Sequence, residues 1–296
     1  MTGVRDETPV IEARGLRKTF GDTVAVDGID LRIDAGRIVG LIGPNGAGKT
    51  TALNAILGLT PYEGELRVLG RDPWRERDTL MRDVAFIADI AVLPRWIRVA
   101  QLLDYVAAVH PRFDRARAEH FLERTTIKPG VKVKTLSKGM IAQLHLAIVM
   151  AIDARLLVLD EPTLGLDIIY RKQLFDTLLE DYYERERTIV LATHNVDEIE
   201  HVVTDVIFLD RGRIALRATM DEVESRYREV RVHPSLESAA RELVPIHERE
   251  SLGQRIMLFE NVDAERLAAL GEVRRPSVAD LFIARVGDGA GGGSQR

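Results

Sequence analysis

The stretch Gly43-Pro44-Asn45-Gly46-Ala47-Gly48-Lys49-Thr50-Thr51 constrains this chain more than any other. It lies between an apolar run, Ile38 to Ile42, and a helix-like segment that starts near Lys49. The spacing of Gly43, four residues, then Gly48-Lys49-Thr50 satisfies the phosphate-loop pattern G-x-x-x-x-G-K-[ST]. Glycines admit backbone conformations that a Cβ forbids, so successive N–H groups can turn inward as a nest for phosphate oxygens. The helix that follows presents its N-terminal dipole to the same anion. Lys49 is placed to reach the β- and γ-phosphates, and the Thr50 hydroxyl to ligate Mg²⁺. A strand, a glycine-rich turn and a helix in that order predict an α/β fold with a P-loop core.

The flanking sequence supplies the rest of such a core. Val10 to Phe20 and Thr23 to Ile33 are β-prone runs separated by Gly21-Asp22, an antiparallel lead-in. Gly64 to Leu69 and Val84 to Ala88 read as further strands. From about Val99 to Met150 apolar residues recur at three- and four-residue intervals, the period of helices. Leu156 to Leu159 and Thr188 to Ala192 are continuous apolar runs, as parallel strands buried on both faces require. Phe175 to Tyr183 reads as a helix, and Val206 to Leu209 with Ile214 to Leu216 as a hairpin. Beyond Ala218, Tyr227 to Val232, Leu236 to Leu243, Arg255 to Phe259 and Ala264 to Leu270 predict strand, helix, strand and helix, followed by a short helix from Val278 to Arg285.

The expected organisation is therefore a flexible N-terminus (1–9), an ATPase-like domain (10–217) with a helical subdomain at about 90–152, a small α+β accessory domain (218–286) and a disordered glycine-rich tail (287–296). With 46% hydrophobic residues among 296, the chain has ample material for a core. The absence of cysteine excludes disulfides and thiolate metal sites. No secretory leader pattern is expected at the start, and the longest charge-free stretch, Gly139 to Ile152, is too short and polar for a membrane span. A net charge of −5 gives no basic footprint, so no nucleic-acid partner is expected.

Asp160-Glu161 ends the Leu156 to Leu159 strand, where open α/β sheets place their ligand crevice. Asp160 is suited to hold Mg²⁺, directly or through water, and Glu161 to polarise the water that attacks a γ-phosphate. Two acids simply ending a strand is the blander reading.

Together these motifs resemble the nucleotide-binding subunit of ABC transporters, over roughly residues 10 to 217. Leu136-Ser137-Lys138-Gly139-Met140 is similar to the family signature, Leu164-Gly165-Leu166-Asp167 to its D-loop, and Thr193-His194 with Glu198 to its switch-histidine segment. The resemblance implies that ATP and Mg²⁺ bind at Gly43 to Thr51, that Phe20 stacks on adenine, and that His194 contacts the γ-phosphate. It further implies that Ser137, Gly139 and Asp167 face the nucleotide across a pair of ATP-binding subunits, identical or mixed. It implies a separate transmembrane permease partner and a peripheral position on the cytoplasmic face of the membrane. The LSKGM segment and the terminal Pro276-Ser277-Val278-Ala279-Asp280-Leu281-Phe282 resemble exporter-type cassettes for drugs, peptides or cell-surface lipids and polysaccharides.

Two departures stand out. Asp89 occupies the place of the family's usual glutamine and is expected to bind Mg²⁺ or its water, although a carboxylate cannot donate an N–H. In the signature, Lys138 either adds charge near the nucleotide or is merely solvated. Trp96, in the segment Val92 to Asp104, either faces a membrane partner or packs within the helical subdomain. The rival class is an ABC-type ATP-driven switch acting on ribosomes or DNA. The first usually carries two cassettes per chain and the second long coiled coils, and this sequence has neither.

Overall fold

The computed structural model describes residues 9–87, 93–185 and 187–287. All but one residue of the expected loose N-terminus (1–9) and all but one of the expected tail (287–296) lie outside them, as does Asp89. Strands β1 (Ile11–Phe20) and β2 (Thr23–Ile33) pair antiparallel, and β4 (Glu63–Val68) joins the other edge of β1, giving a three-stranded sheet. The central sheet has six strands in the order β5 (Val84–Ile87), β6 (Leu156–Asp160), β7 (Thr188–Thr193), β3 (Ile38–Ile42), β8 (Asp205–Asp210) and β9 (Arg213–Thr219). All neighbours are parallel except β8 and β9, the hairpin.

Strands β3, β6 and β7 are buried at every position, which explains their unbroken apolar sequence. Period-two alternation splits them between two cores. Ile38, Ile42, Leu157, Leu159, Ile189 and Leu191 face one layer, while Val39, Leu41, Leu156, Val158 and Val190 face the other. The second layer is built from α1 (Lys49–Ile56) and the three-stranded sheet, with the one-turn helix α2 (Arg77–Leu80) at its margin. The first includes α6 (Ile168–Arg185) and α7 (Val196–Ile199). Helices α3 (Val99–Val109), α4 (Arg115–Glu123) and α5 (Lys138–Met150) form a lobe around Leu102, Leu103, Ala118, Leu122, Leu144 and Ile148. Asp114 caps α4 and Ser137 caps α5, each worth about 0.5–2 kcal/mol.

After α8 (Met220–Arg226), the C-terminal region forms an antiparallel sheet in the order β11 (His247–Ser251), β12 (Gln254–Glu260), β10 (Tyr227–Val232) and β13 (Gly271–Arg274). Helices α9 (Glu237–Glu242) and α10 (Ala264–Ala268) cover one face, where Val230, Val232, Met257, Phe259 and Leu267 make a separate small core. The other face adds Tyr227 and Leu258 to the core of the central sheet. The terminal helix α11 (Val278–Val286), which the sequence groups with the appendage, buries Val278, Leu281 and Ala284 in the core of the central sheet. Phe282 meets Phe208 of β8 edge to face with centroids 5.2 Å apart. Glu260 ties this junction by accepting from the Tyr227 hydroxyl (2.9 Å), from Arg226 (2.7 Å) and from Arg285.

Candidate functional site

Parallel pairing sets the site. Asp160 lies opposite Ala192, and Ile42 opposite Thr193, so β3, β6 and β7 end together. The loop from Gly43, the acid after β6 and the histidine after β7 therefore leave the sheet along one rim.

The loop is held tightly from below. Gly48 has φ +104°, and a Cβ there would lie 2.3 Å from the Ala25 carbonyl oxygen. A Cβ on Gly43 would lie 2.4 Å from the Leu209 oxygen. Both glycines are thus required by space, and Gly48 by conformation as well. The Ala47 amide donates to the Pro44 oxygen (3.1 Å), and the Ala47 oxygen accepts from the Gly212 amide (2.9 Å), anchoring the loop to the β8–β9 turn.

Lys49 is buried and folds back over the loop, donating to the Gly43 oxygen (2.7 Å) and the Pro44 oxygen (3.3 Å). Its Nζ lies 3.8 Å from Glu161. Burial lowers its pKa, and the carboxylates of Glu161 and Asp160 oppose part of that shift. Thr50 Oγ1 donates to Asp160 Oδ2 at 2.7 Å, so the two expected Mg²⁺ donors touch. Asp160 is itself buried.

Glu161 has φ +48°, a left-handed conformation that costs a non-glycine residue about 1–2 kcal/mol. Its surroundings fix it there. Its amide donates to the Ala192 oxygen (2.9 Å). Its carboxylate accepts from Thr193 Oγ1 (3.1 Å) and the His194 amide (3.1 Å) and contacts His194 Nδ1 (2.8 Å). The sequence reading named Thr193 in the switch-histidine segment but gave it no role of its own. Its hydroxyl also accepts from the Asn195 amide (3.0 Å), so it couples Glu161 to the turn carrying His194. The only signal was its place beside that histidine. Asn195 and Arg171 further clamp Glu198, and no spacing in the sequence announces that clamp.

Ser137, Gly139 and Asp167, expected to face the nucleotide across a pair of subunits, stand on other elements. Ser137, on α5, spends its hydroxyl on the Met140 amide (3.2 Å). Gly139 approaches Gly165, whose oxygen would lie 3.3 Å from a Cβ added to it. Asp167 caps α6 through the Ile169 and Tyr170 amides (3.0 and 3.1 Å). Among the described residues, no hydrogen bond joins Ser137, Gly139 or Asp167 to Gly43–Thr51. They form a second face with the exposed Leu164, Ile168 and Ile169, and Lys138 there is exposed. Phe20, at the β1–β2 turn, is 54% exposed with Lys18 Nζ 4.9 Å from its ring centre. Trp96 is 75% exposed, with Tyr105 and Val109 also exposed nearby in sequence, so the packed alternative for Trp96 does not hold.

A glycine-built phosphate loop joined to an Asp–Glu strand end and a strand-end histidine defines a P-loop nucleotide hydrolase. The ABC transporter family profile matches residues 26–164. Nod factor export ATP-binding protein I of Cupriavidus metallidurans is 32% identical, covering 95% of this chain and 98% of its own length. The sulfate/thiosulfate import ATP-binding protein CysA of Bradyrhizobium diazoefficiens is 33% identical over 72% of this chain and 64% of its own. A bacterial ABC transporter cassette solved as a dimer shares the fold, with a TM-score of 0.65 at 23% identity over 71% of this chain and 98% of its own. The chain belongs to the ABC transporter family, as one of its ATP-binding, ATP-hydrolysing subunits.

Proposed function

We propose that this chain powers export by a separate membrane permease, closing on two ATP molecules as one of a pair of cassettes. The observation that carries the catalytic part is the four-point restraint of Glu161 beside Lys49, Thr193 and His194. A carboxylate so held is placed to take a proton from the water that attacks the γ-phosphate. Lys49 offsets charge on the transferring phosphoryl group, and His194, with half its side chain exposed, is free to turn from Glu161 toward that group.

The residues fit Mg²⁺. Thr50 and Asp160 offer hard oxygen donors in contact, and among the described residues no cluster of three or more His, Cys, Asp or Glu could build an all-protein metal site. That donor set suits an ion that keeps waters and shares substrate phosphates, with Asp89 as a further candidate ligand. When bound, Mg²⁺ neutralises phosphate charge. The backbone nest of Gly43, Pro44, Asn45, Gly46, Ala47, Gly48 and Thr51 cradles the phosphates, and Phe20 stacks on adenine.

The pairing is supported by the second face. Ser137, Gly139 and Asp167 lie apart from the loop in their own chain, next to exposed isoleucines. A second cassette, identical or different, would bring that face, with its helix N-terminus, to the phosphates. Export is favoured because an export relative aligns over 95% of the chain, through the C-terminal appendage. The exposed Trp96 and Tyr105 offer the contact for the permease. Among the described residues no helix is long and apolar enough to cross a membrane, so attachment at the cytoplasmic face would run through that partner. The test is Glu161→Gln. It should bind ATP and lose about 10²- to 10⁴-fold in turnover. Wild-type turnover would remove Glu161 from the role.

A further inference from the structure

A continuous run of hydrogen bonds joins the segment Leu164-Gly165-Leu166-Asp167 to Glu161, and it starts at Arg171 of α6. Arg171 Nε donates to the Leu166 oxygen at 2.9 Å, and a terminal guanidinium nitrogen pairs with Glu198 Oε1 on α7. The same Oε1 accepts from Asn195 Nδ2 at 2.5 Å. The Asn195 amide donates to Thr193 Oγ1 (3.0 Å), and that hydroxyl donates in turn to Glu161 Oε2 (3.1 Å). Because the Asn195 N–H occupies a lone pair of the Thr193 oxygen, the hydroxyl proton is left pointing at the acid.

The middle of this run has no substitute partners. The Glu198 side chain is 14% exposed, and its second oxygen is buried with no hydrogen-bond partner among the described residues. The carboxylate therefore depends on Arg171 and Asn195 to stay where it is. Arginine suits the place because its donors form a rigid fork, one prong on the Leu166 oxygen and another on Glu198. A staple between α6 and α7 needs only the second prong. Phe175 of α6 and His201, just beyond α7, already pack edge to face there with centroids 5.6 Å apart.

We infer that Arg171 is a positioning residue for ATP hydrolysis: through Glu198, Asn195 and Thr193 it sets the aim of Glu161, and it ties that aim to the backbone of residues 164–167. The inference rests on the reading of Glu161 as the group that takes a proton from the attacking water. Among the described residues no hydrogen bond joins Arg171 to Gly43–Thr51, so its loss should reach turnover and not nucleotide binding.

Steady-state ATP hydrolysis by the full chain, with kcat and KM separated and Tm measured alongside, tests the assignment. Arg171→Lys keeps a cation against Glu198 but has no donor at the Nε position, so it removes the bond to the Leu166 oxygen and should still fold. It should lose about 3- to 10-fold in kcat, the worth of one hydrogen bond, with KM for ATP unchanged. Glu198→Leu interrupts the run at its middle without leaving a charge buried, and should lose kcat to a similar extent. Combining Arg171→Lys with Thr193→Val, which breaks the last bond, should give a kcat close to that of Thr193→Val alone, because both losses act through one path. Wild-type kcat in Arg171→Lys and Glu198→Leu, a loss confined to KM, or losses that multiply in the double variant overturns the positioning role. Glu161→Gln, measured in parallel, separates the two failures. Its turnover at the wild-type rate overturns both readings, whereas a slow Glu161→Gln beside an unimpaired Arg171→Lys overturns the positioning role alone.

Discussion

Replacing Thr193 by valine removes one hydroxyl from the centre of the site. Thr193 is 2% exposed, so no water takes over its bonds. Its Oγ1 donates to Glu161 Oε2 at 3.1 Å and accepts from the Asn195 amide at 3.0 Å. A hydrogen bond to a charged group is worth about 1.5–3 kcal/mol and a neutral one about 0.5–1.5 kcal/mol. Glu161 keeps its bond from the His194 amide and its proximity to Lys49, so part of the charged bond's worth is recovered. A net loss of about 2 kcal/mol in stability follows, which for domains of 150–250 residues lowers Tm by about 4–8 °C. The kinetic consequence is separate. If the bond aims Glu161 at the attacking water, about 1.4 kcal/mol of its worth enters the barrier and kcat falls about 10-fold, short of the loss expected without Glu161. KM for ATP should hold, since the loop is untouched. Thr193→Ser, which retains both bonds, should restore kcat. Steady-state hydrolysis with separate kcat and KM, alongside calorimetric Tm, decides the matter. A valine variant with wild-type kcat, or one that loses only KM, refutes the positioning role.

Other perturbations separate the remaining parts. Gly48→Ala drives a Cβ to 2.3 Å from the Ala25 oxygen at φ +104°, so ATP binding measured by fluorescence titration should be lost while circular dichroism stays near wild type. Lys49→Met should raise the Tm of the nucleotide-free protein near neutral pH while stopping hydrolysis. The sign follows from the lowered pKa of Lys49. Below its folded value the buried cation costs stability, and that cost is returned as pH climbs toward 10.5, so the gain should shrink there. Asp89→Gln should keep substantial ATPase activity, and an inactive variant with intact ATP binding would show that the acid is needed. Phe282→Ala, which removes the 5.2 Å ring contact with Phe208, should lower stability by about 2–4 kcal/mol in denaturant titration and leave ATP affinity unchanged.

Much of the fold was legible because its signals are local. Gly43 to Thr51 dictates its own loop, and the unbroken apolar runs of β3, β6 and β7 are what a sheet buried on both faces requires. What escaped depends on pairing at a distance. His-Glu-Arg-Glu-Ser of β11 has no apolar alternation and becomes a strand only because β12 lies beside it. The same holds for β13 against β10. Helix α11 is amphipathic wherever it sits, and its sequence cannot say which core receives Leu281 and Phe282. In the site, Asp160 and Glu161 stood out because they end a strand, and His194 through the family resemblance. The left-handed backbone of Glu161 and the two bonds of Thr193 were not, because both arise only when β6 and β7 end side by side.

The central claim is that Gly43 to Thr51 is half of a site completed by Ser137 of another cassette. Its most direct test is the mass of Glu161→Gln in saturating MgATP by sedimentation velocity. The account predicts a shift from one chain of 33.1 kDa to a pair, reversed by removing ATP and abolished by Ser137→Arg with ATP affinity retained. A protein that binds ATP fully and still sediments as a single chain would contradict it.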